Sequence, residues 1–497
     1  MKKKYILAID QGTSGSRVIL FDYHGRVLQC AHRELKQFFP NPGWVEHDPY
    51  EYIDTILECL KEVVEKSGID VLDIASIGIA NQRETVILWD KETGKPVYNA
   101  IVWQCRRTAD YCSSLKEAGY NELINAKTGL VIDAYFSATK IKWIIDNVEG
   151  VKEKVKQGRI FAGNSDSWIM WNLSKGKYHV TDYSNASRTL LLNINTLKWD
   201  DELLKLFNIS ADILPELKDS SGIMAYTDKS ILGVEIPIAG DAGDQQAALF
   251  GQACFRPGMA KNTYGTALAV MMNIGEKPIK SENGLLTDLA WVINGKATYA
   301  FEGIIFNGGS TIQWLRDGIK IIKDAGECDI LSEKVEDTGN VYLVPAFTGL
   351  CVPYWDMYAR GIIVGITRGT NREHICRAAE EAIAYQTADA LYAMISDSSI
   401  DILSMRVDGG ATKSDFLLQF QSDILGITIE RPKITEMTAL GAAYLAGLGV
   451  GFWSDMEELE KQWEIDKVYK PSMDDEKRKE LYDGWKNAVQ RSLAWAK

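Results

Sequence analysis

The chain has 497 residues, of which 46% are hydrophobic, 25% charged and 10% aromatic, which excludes a disordered, collagen-like or low-complexity protein and leaves room for two or three domains. Its 55 basic and 68 acidic side chains give a formal net charge of −13, which argues against a nucleic-acid partner. The eight cysteines include no C-x-x-C pair, so we expect reduced thiols in a cytoplasmic protein rather than a zinc site or a disulfide framework.

Neither a signal peptide nor a membrane span is expected. The lysines at the chain start are followed by Asp10 and Arg17, which interrupt the apolar segment that a signal peptide requires. The longest uncharged run, residues 437–454, is rich in glycine and alanine and low in leucine, isoleucine and phenylalanine. It therefore predicts a closely packed helix inside a protein rather than a membrane-spanning one.

The first half begins with a predicted hairpin. Apolar residues 6–10 and 18–22 flank a glycine-bearing turn, and a third strand is expected near Val27. Asp48 and Pro49 predict the start of a helix that ends near Gly68. Further strands are predicted over residues 74–79, 86–89 and 236–239, and a short helix over residues 245–250.

The second half contains a similar hairpin, in which residues 259–262 and 268–272 flank the turn at 264–266. Long helices are predicted over residues 310–323, 372–396 and 475–495, and a strand over residues 405–407. Strands and helices alternate in both halves, so the fold class is α/β. The repeated hairpin indicates an ancient duplication and predicts two domains, residues 1–253 and 254–497.

Four glycine-bearing turns directly follow apolar strands, at residues 10–13, 240–244, 265–266 and 408–411. Such turns let backbone N–H groups approach a phosphate closely. Asp10 and Arg17 are placed to supply a carboxylate for Mg²⁺ and a guanidinium for phosphate, although Asp10 also fits a turn-initiating residue. Asp244 alone fits an ordinary helix N-terminus equally well. The chain has no P-loop, G-x-G-x-x-G, G-x-S-x-G or H-E-x-x-H motif.

A second group of residues combines charge with aromatic surface. Arg83 and Glu84 follow the predicted strand at 74–79, while Trp103 and Tyr135 lie farther along the chain. A small polyol needs this mixture, because its hydroxyls need charged partners and its carbons need an apolar face. Surface charges at a strand end are the alternative interpretation of Arg83 and Glu84.

At this point the chain resembles the FGGY carbohydrate kinase family, within the class that shares the ATPase core of actin and Hsp70. The matching segments are Asp-Gln-Gly-Thr at 10–13, Pro-Gly-Trp-Val-Glu-His-Asp at 42–48, Asn-Gln-Arg-Glu-Thr at 81–85, Ile-Val-Trp-Gln-Cys-Arg-Arg-Thr at 101–108, Gly-Asp-Gln-Gln-Ala-Ala-Leu-Phe-Gly at 243–251 and Ala-Leu-Gly-Ala-Ala-Tyr at 439–444. The segments at 83–85 and 103–107 are similar to those of the glycerol-phosphorylating members in particular.

The resemblance implies two RNase H-like domains of the actin/Hsp70 type that enclose a catalytic cleft. Glycerol would bind mainly to the N-terminal domain and ATP mainly to the C-terminal one, with Mg²⁺ as cofactor and sn-glycerol 3-phosphate as product. It further implies a homodimer or homotetramer in the cytoplasm.

The resemblance also assigns roles residue by residue. Asp244 matches the general base, Asp10 and Asp244 match the magnesium site, and Arg17 matches a catalytic phosphate contact. The residues matching glycerol contacts are Arg83, Glu84, Trp103, Tyr135, Asp244 and Gln245. The residues matching nucleotide contacts are Thr13, Ser14, Gly15, Arg17, Thr266, Gly309, Gln313, Gly410 and Ser414.

Three departures from the family pattern keep alternatives open. Ala269 stands where members often have phenylalanine beside the glycerol carbons, which leaves room for a larger acceptor such as erythritol or xylulose. Ser414 replaces an asparagine near the adenine, and Cys351-Val352 replaces Gly-Ala. A non-catalytic nucleotide switch of the actin or Hsp70 kind is the alternative from another class, but it needs no polyol pocket.

Regulation is where the sequence differs most from its relatives. Residues 227–237 lack both the glycine-rich, arginine-bearing loop associated with fructose 1,6-bisphosphate and the histidine that the sugar phosphotransferase system phosphorylates in other members. We expect both controls to be absent. Lys477 stands where relatives that bind the glucose-system regulator carry a metal-binding glutamate, which argues against that partner.

Overall fold

A computed structural model describes residues 3–496 of the chain. In the first half the strands are β1 (Tyr5–Gln11), β2 (Gly15–Asp22), β3 (Val27–Glu34), β4 (Glu46–His47), β5 (Ile74–Asn81), β6 (Ile87–Asp90), β7 (Lys95–Pro96), β8 (Ala100–Ile101), β9 (Ile160–Gly163), β10 (Val180–Asp182), β11 (Leu192–Asn193), β12 (Lys198–Trp199), β13 (Glu216–Lys218), β14 (Ser221–Tyr226) and β15 (Pro237–Gly243). The helices are α1 (Pro49–Ser67), α2 (Ala109–Glu117), α3 (Asn121–Thr128), α4 (Ser137–Asn147), α5 (Val151–Lys156), α6 (Ser165–Leu173), α7 (Tyr183–Ser187), α8 (Asp201–Phe207), α9 (Lys229–Leu232) and α10 (Asp244–Gly251).

The second half follows in the same manner. Its strands are β16 (Met259–Tyr264), β17 (Leu268–Gly275), β18 (Leu286–Ile293), β19 (Lys296–Ile305), β20 (Tyr342–Val344), β21 (Ile362–Val364), β22 (Ser404–Asp408), β23 (Ile429–Pro432) and β24 (Ile465–Tyr469). Its helices are α11 (Gly309–Gln313), α12 (Ala325–Ser332), α13 (Arg372–Ser398), α14 (Asp415–Leu425), α15 (Met437–Gly449), α16 (Met456–Gln462) and α17 (Asp475–Ser492).

Each half contains the same five-stranded unit. In the first half the order is β3-β2-β1-β5-β15, and in the second it is β19-β17-β16-β22-β23. The first three strands of each unit are antiparallel and the last two run parallel to the first strand of the hairpin. The units join through β14 and β18 into one 13-stranded sheet. This repeat is the pattern expected for two RNase H-like domains.

The register of the first unit brings three chain segments to one edge of the sheet. Gln11 of β1 lies beside Asn81 of β5, and Asn81 lies beside Gly243 of β15. Since these strands are parallel, their carboxyl ends meet, and open α/β sheets bind ligands at such ends. The residues that follow each of these strands are therefore the candidates for ligand binding and catalysis.

Helix α15 explains the uncharged run in the sequence. It packs against α10 and against the first-half strands β5 and β15, although it belongs to the second half of the chain. A Cβ atom at Gly441 would lie 1.8 Å from the carbonyl oxygen of Ala247, so only glycine permits this close contact. The interior packing of this helix is as predicted, and no helix within residues 3–496 is long and apolar enough to cross a membrane.

Two predicted helices end earlier than expected. The helix predicted over residues 310–323 consists of α11 followed by one wide π-helical segment, Trp314–Gly318. It stops there because Lys320 adopts a left-handed conformation with φ of 57°. Helix α17 ends at Ser492 rather than at 495, where the backbone N–H of Ala494 instead donates to the Asp356 carboxylate.

Candidate functional site

Asp244 begins α10 directly after the buried strand β15. Its side chain is 31% exposed, whereas the Arg83 side chain beside it is only 4% exposed. Asp244 Oδ1 lies 3.3 Å from Arg83 Nε and accepts a hydrogen bond of 2.8 Å from the backbone N–H of Gln245. The carboxylate is therefore held at a helix N-terminus, next to a buried cation, and remains open to the outside.

The turn after β5 carries Arg83 and Glu84. Glu84 is buried and has a φ of 60°, a conformation that costs energy for a residue with a side chain and that is concentrated at functional sites. The N–H of Thr85 donates to the carbonyl of Arg83 at 2.7 Å and so closes the turn. The Thr85 hydroxyl in turn accepts from the backbone N–H of Trp103 at 3.3 Å.

Arg83 and Glu84 belong to a buried charge cluster that also contains Arg188, Asp288 and Glu302. Arg83 Nη2 donates to Glu302 Oε1 at 2.5 Å. Arg188 Nε donates to Glu84 Oε1 at 2.5 Å, and its Nη1 donates to Asp288 Oδ1 at 2.6 Å. Since isolated buried charges are very costly, this mutual pairing is what allows the arrangement to exist.

The protonation states in the cluster differ between neighbouring carboxyls. Burial raises the pKa of Asp288 to about 7, and a hydrogen bond to Glu302 contributes to that shift. Burial also opposes ionisation of Glu302, but Arg188 and Arg83 hold its pKa down to about 2. Between these two pKa values the pair therefore behaves as a neutral carboxyl next to a carboxylate.

An aromatic wall lies beside the buried charge cluster. The rings of Trp103 and Tyr135 meet edge to face with their centroids 5.5 Å apart. Tyr135 OH accepts a hydrogen bond from Arg83 Nη2 at 3.4 Å, and Trp103 Nε1 donates to Thr13 Oγ1 at 2.8 Å. Behind this wall the buried ammonium of Lys140 donates to the backbone carbonyls of residues 134–136.

The first-half hairpin brings Asp10 opposite Arg17 in the β1–β2 pairing. Burial raises the pKa of Asp10 to about 7, while Arg17 opposes the shift and the negative charge of Asp244 adds to it. Arg17 forms an ion pair with Glu436, the residue before α15, and both side chains are about one third exposed. Ser14 at the tip of the turn is exposed, whereas Gly15 is buried.

The second-half turns pack on one another. The N–H of Gly309 donates to the carbonyl of Gly265 at 2.9 Å, and the N–H of Ser310 donates to that of Thr266 at 3.2 Å. Gly409 has a φ of 94°, and a Cβ there would lie 2.5 Å from the carbonyl oxygen of Tyr264. The glycine turns at 265–266, 308–309 and 409–410 thus meet at the ends of β16, β19 and β22.

Several of the residues predicted to act together are brought together. Contacts join Arg83 with Glu84, Tyr135 and Asp244, and another joins Trp103 with Thr13. Gln313 and Gly410 are exposed near the second-half turns. The Ser414 hydroxyl is engaged within the protein, because it donates to Glu380 Oε2 at 3.0 Å and accepts from the N–H of Leu417 at 3.1 Å.

The sequence reasoning did not identify Arg188, Asp288, Glu302 or Lys261. Asp288 and Glu302 had a local signal in the sequence, because each is the only acid in a mostly apolar strand, β18 or β19. A charge at such a position requires a buried partner. The partner itself could not be predicted from the sequence, because Arg188 lies 100 residues before Asp288.

Two family models match the chain. The N-terminal domain of the FGGY family of carbohydrate kinases matches residues 5–251, and the C-terminal domain of the same family matches residues 260–450. Together they cover most of the chain.

Known proteins match it from end to end. A glycerol kinase of Caldanaerobacter subterraneus subsp. tengcongensis is 60% identical over 493 residues, which cover 99% of both chains. Glycerol kinase 2 of Thermotoga maritima is 60% identical over 494 residues, covering 99% of this chain and all of that one. The crystal structure of Plasmodium falciparum glycerol kinase with ADP superimposes with a TM-score of 0.94 at 40% identity and covers 99% of each chain. These matches confirm the predicted two-domain α/β fold class.

Proposed function

Because this chain belongs to the FGGY family of carbohydrate kinases, we propose that it transfers the γ-phosphoryl group of ATP to a terminal hydroxyl of glycerol, giving sn-glycerol 3-phosphate. The observation that carries the proposal is the half-open carboxylate of Asp244, 3.3 Å from the buried guanidinium of Arg83. Sequence identity of 60% over nearly the full length to relatives named as glycerol kinases supports glycerol as the acceptor.

Asp244 is proposed as the general base. Its Oδ1 is engaged by the Gln245 N–H and lies near Arg83, so Oδ2 is the oxygen available to accept the hydroxyl proton. The adjacent Arg83 and the helix N-terminus hold this carboxylate in place at the proposed site. A positioned base of this kind contributes roughly 10²- to 10⁴-fold to the rate.

The acceptor is proposed to bind between the buried charge cluster and the aromatic wall. Glycerol presents three hydroxyls on a short carbon chain, so it needs several hydrogen-bond partners and one apolar face. Arg83, Glu84, Tyr135, Asp244 and Gln245 would serve the hydroxyls, and Trp103 would cover the carbons. Because the cluster is already paired within the protein, these side chains would lose little conformational freedom on binding.

The glycine turns are proposed to hold the nucleotide. Phosphoryl transfer depends on positioning and on neutralising the charge of the phosphate oxygens rather than on covalent catalysis. The residues proposed for these contacts are Thr13, Ser14, Gly15, Arg17, Thr266, Gly309, Gln313, Gly410 and Ser414. Arg17 has further N–H groups besides the one that donates to Glu436, so it can contact Glu436 and a phosphate at the same time.

Asp10 and Asp244 are proposed to face a magnesium ion that arrives with ATP. Magnesium is commonly held by one or two carboxylates together with substrate phosphates and water. Asp10 of β1 and Asp244 after β15 are partly exposed carboxylates on two strands that flank β5, and they fit that donor set. Within residues 3–496 no group of three or more metal-binding side chains could hold an ion without the nucleotide. The ion would neutralise phosphate charge when bound.

We further propose that the domains divide at residues 253 and 254 and that closing them over glycerol excludes water as a competing acceptor. A cytoplasmic homodimer or homotetramer is proposed by resemblance, and the unpaired cysteines support a reducing location. Native mass measurement tests the assembly.

Absence of control by fructose 1,6-bisphosphate or by histidine phosphorylation also stays a prediction, and strong inhibition by the bisphosphate would contradict it.

The deciding experiment measures ADP release from Mg-ATP with glycerol, dihydroxyacetone, erythritol, xylulose or no acceptor. We expect glycerol to give the highest kcat/KM. Preference for a longer polyol or ketose would keep the phosphoryl chemistry and move the acceptor, with Ala269 as the first residue to examine. Hydrolysis that is independent of any acceptor would favour the nucleotide-switch alternative.

A further inference from the structure

Lys261 of β16 is fully buried, yet the proposed mechanism assigns it no role. Its ammonium donates to Gln245 Oε1 at 2.5 Å and to Thr263 Oγ1 at 3.0 Å. Both acceptors are neutral oxygens. Burying an ammonium in this way is costly unless the surroundings compensate for it, so its position needs an explanation.

The surroundings of Lys261 compensate through nearby negative charge. Burial lowers the pKa of the ammonium, whereas Asp408 and Asp244 are the strongest influences that oppose this shift. Those acids come from β22, which pairs with β16, and from α10. Lys261 therefore lies among the acids of both halves without being paired to one of them.

The bond to Gln245 fixes the orientation of an amide. A lysine ammonium can only donate hydrogen bonds, so the group facing it must be the amide oxygen. The NH₂ of Gln245 is consequently directed away from Lys261 and remains available as a donor. An amide without this partner could turn over and present its oxygen instead.

The second bond of Lys261 connects the amide to the other half of the chain. Gln245 follows Asp244 in α10 of the first half, whereas Thr263 lies two residues before the turn at 265–266 in the second. Thr263 also pairs with Ala269 across the hairpin and with Asp408 in β22. One ammonium thus joins the segment of the proposed base to the strand that leads into the phosphate-side turn.

We propose that Lys261 is a positioning residue for the acceptor: it orients the Gln245 amide so that its NH₂ donates to an acceptor hydroxyl, and it ties α10 to the end of β16. This inference rests on the proposed function, because it takes Gln245 as an acceptor contact. It adds a residue that touches neither the acceptor nor ATP.

A double-mutant cycle on the full chain tests the inference, with kcat and both KM values as readouts. We expect Lys261→Met to raise the glycerol KM about tenfold, the loss of about 1.4 kcal/mol, and to change the ATP KM less than about threefold. Gln245→Ala is expected to raise the glycerol KM similarly. If Lys261 acts through Gln245, the double variant is no worse than the worse single variant. The inference would be overturned if the increases in glycerol KM of the two single variants multiplied in the double variant, or if Lys261→Met left the glycerol KM unchanged.

Two further variants keep the test decisive. Lys127→Met removes a partly buried lysine held by Asp200 outside the site and is expected to leave kcat and both KM values within about twofold. Gln245→Glu keeps an oxygen for Lys261 but removes the NH₂ donors, so it tests the same idea if Lys261→Met does not fold. Its glycerol KM should rise about tenfold, and an unchanged value would refute the orientation argument.

The outcome is separable from failure of the proposed function. If wild-type protein phosphorylates a different acceptor, the same cycle is measured with that acceptor. If it phosphorylates none of the panel, the proposed function fails and the inference falls with it. Wild-type activity on glycerol combined with independent effects of Lys261 and Gln245 would remove only the inference.

Discussion

The acceptor side and the nucleotide side of the proposed site differ in how far their residues are buried and paired. On the acceptor side, Arg83, Glu84, Arg188, Asp288 and Glu302 have side chains at most 4% exposed and are paired with one another. On the nucleotide side the predicted contacts are glycine turns whose tips, such as Ser14, Thr266 and Gly410, are exposed. The proposed acceptor side therefore offers a buried set of paired charges, and the proposed nucleotide side offers exposed turns.

The difference has an energetic consequence. Removing one member of a buried charge network leaves its partners unpaired in a medium of low dielectric constant, which is strongly destabilising. Removing one contact of an exposed turn leaves a group that water can solvate. Substitutions on the acceptor side should therefore affect folding and binding together, and those on the nucleotide side should affect folding only weakly.

The largest effect is expected for Arg188→Met. It removes the cation that contacts Glu84, Asp288 and Glu302, and we expect the free energy of unfolding to fall by about 3–5 kcal/mol. Arg17→Met is the matched control on the nucleotide side, where the pair with Glu436 is about one third exposed and should contribute less than about 1 kcal/mol. Urea unfolding followed by tryptophan fluorescence measures both, and equal losses would contradict the comparison.

Asp244→Asn separates chemistry from stability. The amide keeps the shape of the side chain but cannot take the proton, so kcat should fall at least about 10²-fold while the free energy of unfolding stays unchanged. Asp415→Asn is the control, because Asp415 also begins a helix next to a glycine turn; its kcat should stay within about twofold. Nearly normal turnover of Asp244→Asn would exclude this residue as the base.

Arg83→Ala tests the acceptor contact itself. Loss of a charged hydrogen bond worth about 1.5–3 kcal/mol should raise the glycerol KM about 10- to 100-fold with little change in the ATP KM. Because Arg83 is also paired within the buried cluster, the free energy of unfolding should fall as well, so KM is measured on protein that remains folded. Arg106→Ala removes a half-exposed arginine of the same region that pairs with Asp133, and the glycerol KM should then change less than about twofold. If the two variants behave alike, the acceptor pocket lies elsewhere.

The contrast between the two sides also explains what the sequence could predict. The hairpins, α1, α13 and the glycine turns carry local signals, namely alternating apolar residues, a capping aspartate and glycine after a strand, and each was predicted near its observed place. The nucleotide side consists largely of such local elements. Its turns at 10–13, 265–266 and 408–411 could therefore be predicted from local patterns, whereas Gly309, Gln313 and Ser414 came only from the family resemblance.

The acceptor side depends on pairs that are distant in sequence. Arg83 meets Glu302 across 219 residues, and Arg188 meets Asp288 across 100. No local pattern specifies such partners, so the sequence singled out Arg83 and Glu84 at a strand end, the family resemblance supplied their proposed role, and their buried partners were missed. The wrong end of the helix at 310–323 has a similar origin, because the apolar pattern continues past Gly318 although the backbone turns away at Lys320.

A smaller effect is expected from pH. Because the pKa of buried Asp288 is raised to about 7, the folded state holds a proton that the unfolded chain loses near pH 4. The stability from this group is complete below about pH 4 and is lost as pH rises towards about 7, with a slope of at most about 1.4 kcal/mol per pH unit.

Asp288→Asn removes this proton while keeping a neutral side chain. Between pH 4 and 7 the variant should lose stability less steeply than the wild type as pH rises, in urea unfolding at each pH. Asp415→Asn is again the control, because Lys467 and Tyr469 hold the pKa of Asp415 down to about 2 and its removal should leave that interval unchanged. Parallel curves for Asp288→Asn and the wild type would show that Asp288 is ionised when folded.

The smallest expected change concerns the range of acceptors. Ala269 is half-buried in β17 beside Ile304 of β19, and Ile304 packs against the same apolar cluster as Trp103 and Tyr135. The aromatic wall is therefore incomplete at Ala269. A pocket with this extra space should tolerate a longer polyol. An apolar pocket distinguishes two substrates that differ by one carbon by only about 10- to 200-fold in kcat/KM.

Ala269→Phe fills that space and so sharpens the acceptor side without touching its charges. We expect kcat/KM for erythritol to fall about tenfold relative to glycerol, with the ATP KM unchanged because the glycine turns are not altered. Ala267→Phe, at the exposed tip of the same hairpin, controls for adding an aromatic ring to this segment and should leave the erythritol-to-glycerol ratio unchanged. An equal loss for both acceptors in Ala269→Phe would mean that the ring disturbs the charge cluster, and an unchanged ratio would place the acceptor carbons away from β17.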